Sequence, residues 1–291
     1  MRVHVLRNPG GGGRASRARA ARIVGRLRGF GHTIIELTGD TPKESSNNLA
    51  NAVRAGDIDH LVIAGGDGLV HLAIQHLAET KIPVSLAPTG TGNDFATALG
   101  IEPVDDLDLD APPIDVDLLK ADGVNGTTWV ASIAIAGFPA AINRRANSLA
   151  LPIGAHIYTL AAILELPAFR RQEVQLRLDG DRLTTDSGML AIGNTKLFGG
   201  GMLPCPDARP TDGLAHLTSI EGVGRRGLLP HLIGREGGTA DRPEVLRQAG
   251  VRIDIDTPNI DLWGDGEPLG QSPMSLRIVP GALRVAGANP A

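Results

Sequence analysis

The sequence has only one cysteine, Cys205, among its 291 residues. A lone cysteine excludes an intramolecular disulfide framework and is typical of proteins from a reducing compartment. We interpret Cys205 as a small packed residue and not as a nucleophile.

Long apolar runs are also missing. No stretch of the sequence approaches the roughly 20 apolar residues that a membrane-spanning helix needs. Residues 2–6 read RVHVL, which indicates a strand and not the apolar core of a signal peptide. We therefore expect a cytoplasmic protein without a transmembrane segment.

Neither sign of charge dominates, because 28 basic residues stand against 32 acidic ones and the formal net charge is -4. A chain without a global positive field is not expected to bind nucleic acid. Hydrophobic residues make up 42% of the sequence, which is ample for a packed core. The length predicts one large domain or two modest ones.

Strand and helix patterns alternate through the first third of the chain. The predicted strands are short and almost continuously apolar, at residues 3–6, 33–37, 61–64 and 84–87. The predicted helices cover residues 16–30, the segment that starts at 42, residues 70–77 and residues 94–99. This alternation predicts a mostly parallel sheet covered by helices, in which a ligand lies at the carboxyl ends of the strands.

Two glycine-rich turns follow the third and fourth of these strands. The first reads Gly-Gly-Asp-Gly at residues 65–68, and the second reads Pro-Thr-Gly-Thr-Gly-Asn-Asp-Phe at residues 88–95. Glycines allow close approach of the backbone, and the N–H groups at a helix start can bind an anion. An aspartate in such a turn suits a Mg²⁺ ion held between the carboxylate and a phosphate. Together the turns predict a nucleoside triphosphate site.

A plainer interpretation exists for several of these residues. Asp67 can be the N-cap of the helix that follows it, and Asp94 can be the N-cap of the next helix. Four glycines after Asn8-Pro9 make a flexible turn without any function, although a loop at this sheet edge also suits a nucleotide.

The second half of the chain is richer in strand patterns. Predicted strands at residues 128–136, 173–178, 189–193, 214–219, 251–255 and 275–279 indicate a mainly antiparallel β domain. An acidic, proline-rich segment at 102–113 precedes them as a plausible linker. We predict a nucleotide-binding domain at residues 1–117 and a β-rich substrate domain at residues 118–275.

These motifs resemble the catalytic domain of diacylglycerol kinases and sphingosine kinases, most closely the soluble bacterial members. The resemblance rests on Asn8-Pro9, the two glycine-rich turns, Asp212-Gly213-Leu214 and Asp265-Gly266-Glu267. It implies an α/β domain like that of NAD kinases and phosphofructokinases, followed by a β-sandwich. It also implies that residues 276–291 return to the first domain.

The same resemblance implies roles for individual residues. Those expected near ATP are Asn8, Pro9, Gly10, Thr38, Gly65, Gly66, Asp67, Gly68, Leu69, Thr91, Asn93 and Asp94. Asp67 would also organise Mg²⁺ or the reacting groups, and Glu267 would be the general base. A structural Mg²⁺ ion would be held by Asp212 with the carbonyl groups of Arg209 and Leu214.

The function implied is an ATP- and Mg²⁺-dependent kinase that phosphorylates diacylglycerol or a sphingoid-like lipid. The expected partner is a lipid substrate at the inner membrane face, where the protein binds peripherally; a homodimer is compatible with the sequence. Leu69, Leu72 and Pro139 depart from residues common in similar kinases. Two alternatives therefore stay open: an NAD-kinase-like enzyme with a soluble acceptor, and a nucleotide-binding regulator without turnover.

Overall fold

A computed structural model describes residues 2–7, 13–103, 107–149, 156–199, 202–225, 242 and 244–290. The Cα positions divide the chain into two compact units, Met1–Leu118 with Pro280–Ala291, and Leu119–Val279. The predicted nucleotide residues Asn8, Pro9 and Gly10 lie outside the described residues.

The first unit alternates strands with helices. Its elements are β1 (Arg2–Arg7), α1 (Arg14–Gly29), β2 (Thr33–Glu36), α2 (Pro42–Ala55), β3 (His60–Gly65), α3 (Asp67–Leu77), β4 (Pro83–Pro88) and α4 (Asp94–Ala98). The strand β5 (Pro113–Gly123) begins in this unit, and the last strand of the chain, Met274–Ala286, ends in it.

The sheet of the first unit is parallel, in the order β2, β1, β3, β4, followed by the end of the last strand. The last strand joins through Arg284, which is aligned with Pro83, and Val285, which is aligned with Val84. Buried residues of β1, α1 and β3, among them Val5 and Ile23, form one apolar cluster. All four preceding strands therefore end at one edge, as the sequence predicted for a ligand site.

The second unit is built from antiparallel strands. Its elements are β6 (Gly126–Val130), β7 (Ile133–Gly137), α5 (Phe138–Leu149), α6 (His156–Glu165), a 3-10 turn (Leu166–Ala168), β8 (Gln172–Leu178), β9 (Asp181–Gly193), β10 (Ala215–Glu221), β11 (Val245–Gly250), β12 (Arg252–Ile255), β13 (Asp261–Gly264), β14 (Glu267–Gln271) and β15 (Met274–Ala286). Every described strand pair within this unit is antiparallel. The predicted class, a mostly parallel α/β region followed by an antiparallel β-sandwich, is confirmed.

Some element boundaries predicted from the sequence are wrong. The single strand at 128–136 is two strands, because the chain bends at Ala131-Ser132 between β6 and β7. The third helix begins at Asp67 and not at Val70, since the glycine-rich turn already adopts helical geometry. No helix among the described residues is both long and apolar enough to cross a bilayer.

Candidate active site

The two glycine-rich turns lie in direct backbone contact. A methyl group on Gly90 would lie 2.7 Å from the Gly66 Cα, and one on Gly66 would lie 3.1 Å from the Gly90 Cα. The backbone N–H of Thr89 also donates to the Gly65 carbonyl at 3.0 Å. Side chains other than hydrogen at these two positions would push the turns apart, so both glycines serve the contact between the turns.

Asp67 ties the first turn to the second. It is the first residue of α3, whose N-cap is Gly66, and its Oδ1 accepts the backbone N–H of Phe95 at 3.2 Å. Phe95 lies in the first turn of α4, so Asp67 caps the neighbouring helix. The alternative in which Asp67 caps its own helix is wrong.

Asn93 closes the second turn on itself. Its Oδ1 accepts the Gly90 N–H and its Nδ2 donates to the Gly90 carbonyl, both at 2.9 Å. Asn93 has a φ of 57° and is the N-cap of α4. Asp94 follows it as the first helical residue, so the alternative in which Asp94 is the N-cap is wrong.

Two carboxylates converge beside Gly92. A methyl group built on Gly92 would lie 2.9 Å from Oδ2 of Asp67 and 3.8 Å from Oδ2 of Asp94. Asp94 is buried, with 9% of its surface exposed. Carboxylate oxygens are the ligands that Mg²⁺ prefers, and one or two of them suffice when phosphates supply the rest. These two aspartates therefore fit a Mg²⁺ ion that arrives with a nucleotide.

Open space lies next to Gly68. It is exposed, and a methyl group there would come within 4 Å of no atom of the described residues that is not part of its own helix backbone or its chain neighbours. Gly65, by contrast, is covered by the buried side chain of Leu69, so Leu69 supports the turn from inside. Since Gly68 lies in the first turn of an 11-residue helix, an anion beside it would meet the positive end of the helix dipole.

Three threonines lie at the same edge of the sheet. Thr38 follows β2, and its Oγ1 accepts the Arg7 N–H at 3.1 Å, which ties the ends of β1 and β2 together. Thr89 accepts a hydrogen bond from Ser16 of α1 at 3.0 Å, a contact that the sequence did not predict. Thr91 is exposed. Thr91 is thus an accessible residue of the second turn.

Glu267 lies in the second unit, directly after a tight hairpin turn. Asp265 and Gly266 connect β13 to β14 with φ angles of 51° and 88°, the positive values that a type I′ turn needs. Glu267 is the first residue of β14, is aligned with Gly264 and is exposed. Its carboxylate is thus presented to solvent by a two-residue turn.

Asp265 fixes the position of that turn. Its two carboxylate oxygens accept the N–H groups of Ala131 and Ser132 at 2.7 and 2.8 Å. These are the residues where the chain bends between β6 and β7, so the side chain takes the place of a neighbouring strand. The Asp-Gly pair signalled a turn in the sequence, but it did not reveal this long-range partner.

The predicted metal residues surround a compact turn. Asp212 Oδ1 accepts the Leu214 N–H at 2.9 Å, and Oδ2 is paired with the His216 ring at 2.9 Å. The Arg209 carbonyl accepts the Asp212 N–H at 3.3 Å. No group of three or more His, Cys, Asp or Glu side chains that could hold a metal occurs within the described ranges. At this turn, the ligands available to an ion are thus the Asp212 carboxylate and backbone carbonyl groups.

Cys205 is packed inside the second unit. It is 1% exposed, and burial raises the pKa of its thiol to about 12. Its Sγ donates to the His216 carbonyl at 3.3 Å. A thiol that stays protonated is a poor nucleophile, in agreement with the interpretation of Cys205 as a structural residue.

Comparison with known proteins covers nearly the whole chain. Residues 2–119 match the family model described as the diacylglycerol kinase catalytic domain. Residues 132–287 match the model described as the YegS C-terminal NAD kinase β-sandwich-like domain.

Curated relatives and a solved structure extend this likeness. A diacylglycerol kinase of Mycobacterium tuberculosis is 32% identical, in an alignment that covers 98% of this chain and 94% of the relative. A Cronobacter sakazakii protein named "Probable lipid kinase YegS-like" is 29% identical, with coverages of 89% and 87%. The crystal structure of a diacylglycerol kinase from Bacillus anthracis superimposes with a TM-score of 0.72, over 99% of this chain and 97% of that chain, at 17% identity. The last comparison shows a shared fold.

Proposed function

Because the chain belongs to the family with the diacylglycerol kinase catalytic domain, and is therefore a kinase with an alcohol acceptor, we propose a specific reaction for it. It transfers the γ-phosphate of ATP to the hydroxyl of a membrane lipid, with diacylglycerol as the first candidate. The observation that carries the proposal is the contact between the two glycine-rich turns, with Asp67 held between them.

The nucleotide site is assigned to the sheet edge where these turns meet. The phosphates of ATP would approach the backbone N–H groups near Gly68, where the structure leaves space. Thr91 supplies a hydroxyl at the same edge. Phosphoryl transfer depends mainly on positioning and charge neutralisation, and a rigid pair of turns supplies the positioning.

Asp67 and Asp94 would hold the Mg²⁺ ion that accompanies ATP. When bound, the ion neutralises charge on the phosphate oxygens. The Phe95 N–H keeps the Asp67 carboxylate in place, so the side chain does not have to reorganise when the nucleotide binds. Asp212, with the carbonyl groups of Arg209 and Leu214, is proposed as a separate structural Mg²⁺ site, where an ion would compete with the His216 ring.

Glu267 is assigned as the general base. Its carboxylate would accept the proton of the lipid hydroxyl while the hydroxyl oxygen bonds to the γ-phosphorus and ADP leaves. Asp265 holds the turn that carries Glu267, which limits how far this carboxylate can move. A lipid acceptor also requires that the reaction takes place at a membrane surface.

The direct test is to incubate the protein with radiolabelled ATP, Mg²⁺ and a total lipid extract. We expect label in phosphatidic acid, and we expect Glu267→Gln to keep ATP affinity while the transfer rate falls by about 10²–10⁴-fold. Label in NAD and not in lipid would favour the soluble acceptor. ATP binding without any transfer would favour a regulator and contradict the proposal.

A further inference from the structure

An asparagine in α5 is buried, and its amide makes no hydrogen bond to any described residue. Asn143 is 1% exposed, and neither its Nδ2 nor its Oδ1 has a partner within the described ranges. Burying an amide without partners costs stability, because the group loses its hydrogen bonds to water. Such a residue in a packed unit therefore needs an explanation, and a ligand that completes its hydrogen bonds is one.

The position of Asn143 links it to the turn that carries Glu267. Asn147, four residues later on α5, donates from Nδ2 to the Gly266 carbonyl at 3.4 Å. Arg144 pairs with Asp261 of β13, the strand that leads into the same turn. Residues four apart share one face of a helix, so Asn143 lies on the face of α5 that borders this turn.

We propose that Asn143 positions the acceptor lipid for phosphoryl transfer, an inference that rests on the proposed function. Its amide can donate one hydrogen bond and accept another. The free hydroxyl and the neighbouring ester carbonyl of a diacylglycerol offer the complementary groups. Asn143 would hold the glycerol backbone while Glu267 takes the hydroxyl proton. Asn143 is 1% exposed, so acceptor binding has to open the packing around this side chain before its amide can bond to the lipid.

A purely structural asparagine makes a different prediction. If Asn143 only fills space or binds an internal water, its replacement by leucine changes the stability of the protein and leaves acceptor kinetics alone. If Asn143 binds the acceptor, the same replacement removes an unfavourable buried group and a substrate contact together. The free energy of unfolding then rises while kcat/KM for the lipid acceptor falls. A purely structural asparagine does not produce this combination.

The kinetic experiment compares wild type, Asn143→Leu and the control Ser148→Ala. Ser148 lies on the exposed side of α5 and its Oγ donates to the Arg145 carbonyl. With 1,2-dioctanoylglycerol as acceptor, we expect kcat/KM for the lipid to fall by about tenfold or more in Asn143→Leu. The KM for ATP should stay unchanged and the melting temperature should not fall. Ser148→Ala should match wild type in both kinetics and stability. An unchanged kcat/KM for the lipid in folded Asn143→Leu overturns the inference and leaves the proposed function intact.

A second experiment measures lipid binding without turnover. It can be carried out even if the wild-type protein phosphorylates no lipid. Calorimetry measures 1,2-dioctanoylglycerol binding in the absence of ATP, with Asn143→Ala in place of Asn143→Leu if the latter does not fold. Binding by wild type that is weakened in the variant supports the inference even if the proposed function has failed. Equal binding by both proteins, or no binding by wild type, overturns it.

Discussion

At the scale of single residues, Asp67 has a structural role and a proposed chemical role. One oxygen accepts the Phe95 N–H from the neighbouring turn, and the other points toward Gly92. The first contact stabilises α4, and the second places the other oxygen near the Asp94 carboxylate, where we propose that Mg²⁺ binds. Substitutions that separate the two roles are therefore informative.

Asp67→Asn keeps an oxygen for the Phe95 N–H but removes the negative charge. We expect the free energy of unfolding to change by less than about 1 kcal/mol, while phosphoryl transfer falls by about 10²–10³-fold. Asp67→Ala is the matched variant, and it should in addition lose about 1–2 kcal/mol of stability because the helix cap is gone. Full activity in Asp67→Asn would show that the charge takes no part in transfer.

The sequence predicts Asp67 as a site residue because an aspartate between glycines at a strand end is an unusual arrangement. It did not identify Phe95 as the partner, since the two residues are separated by 28 positions and only the parallel register brings them together. The same limit applies to Asp265, whose partners lie more than 130 positions away. Local patterns name residue types, whereas long-range hydrogen bonds depend on the folded chain.

At the scale of elements, glycine occupies different positions of the two turns for different physical reasons. Gly66 and Gly90 are required where two backbones touch, whereas Gly68 faces open space. From the sequence, Gly66 and Gly68 are both expected near ATP, and Gly90 is given no individual role. Only the structure separates the glycines that allow packing from the glycine that leaves room for a ligand.

Alanine substitutions should therefore have opposite effects on stability. Gly90→Ala is expected to destabilise the protein by about 1–3 kcal/mol, because the added methyl group overlaps the Gly66 backbone. Gly68→Ala should stabilise it by about 0.5–1 kcal/mol, because alanine is a better helix former. If phosphates approach Gly68, the second variant should nonetheless bind ATP more weakly. Urea denaturation and calorimetry measure the two quantities, and unchanged ATP affinity in Gly68→Ala would contradict the assignment.

Element predictions succeeded where local chemistry decides the outcome. The helix predicted to start at residue 42 is an example, since Thr41 is its N-cap, Pro42 is its first residue and the Thr41 hydroxyl accepts the Glu44 N–H. The prediction failed at 128–136, where a continuous apolar pattern is interrupted at Ala131 by the distant Asp265 carboxylate. Tertiary contacts override strand propensity there.

At the scale of the whole molecule, the two units carry different candidate site residues. The first carries the two turns, and the second carries Glu267 and Asn143. Among the described residues, the histidines with lowered pKa values are the buried His4 and His60 and the half-buried His76, and all three belong to the first unit. Acidification should therefore lower the free energy of unfolding of that unit.

His60 makes the pH effect testable. Burial lowers its pKa from the ordinary 6.5, and its Nε2 is paired with the Ser85 hydroxyl at 2.8 Å. Between the folded pKa and 6.5 the His60 side chain binds more protons in the unfolded chain than in the folded protein. The stabilising contribution of His60 is therefore complete above pH 6.5 and is lost as the pH falls toward the folded pKa. We expect His60→Gln to reduce the slope of unfolding free energy against pH by at most about 1.4 kcal/mol per pH unit. An identical slope in both proteins, measured by urea denaturation between pH 5 and 7.5, would contradict this.

We propose that the two glycine-rich turns bind one triphosphate together. A crystal structure of the protein with Mg²⁺ and a saturating non-hydrolysable ATP analogue tests it most directly. We expect phosphate oxygens beside the Gly68 backbone and a Mg²⁺ ion at Asp67 and Asp94. A nucleotide bound elsewhere, or empty turns at saturation, would contradict it.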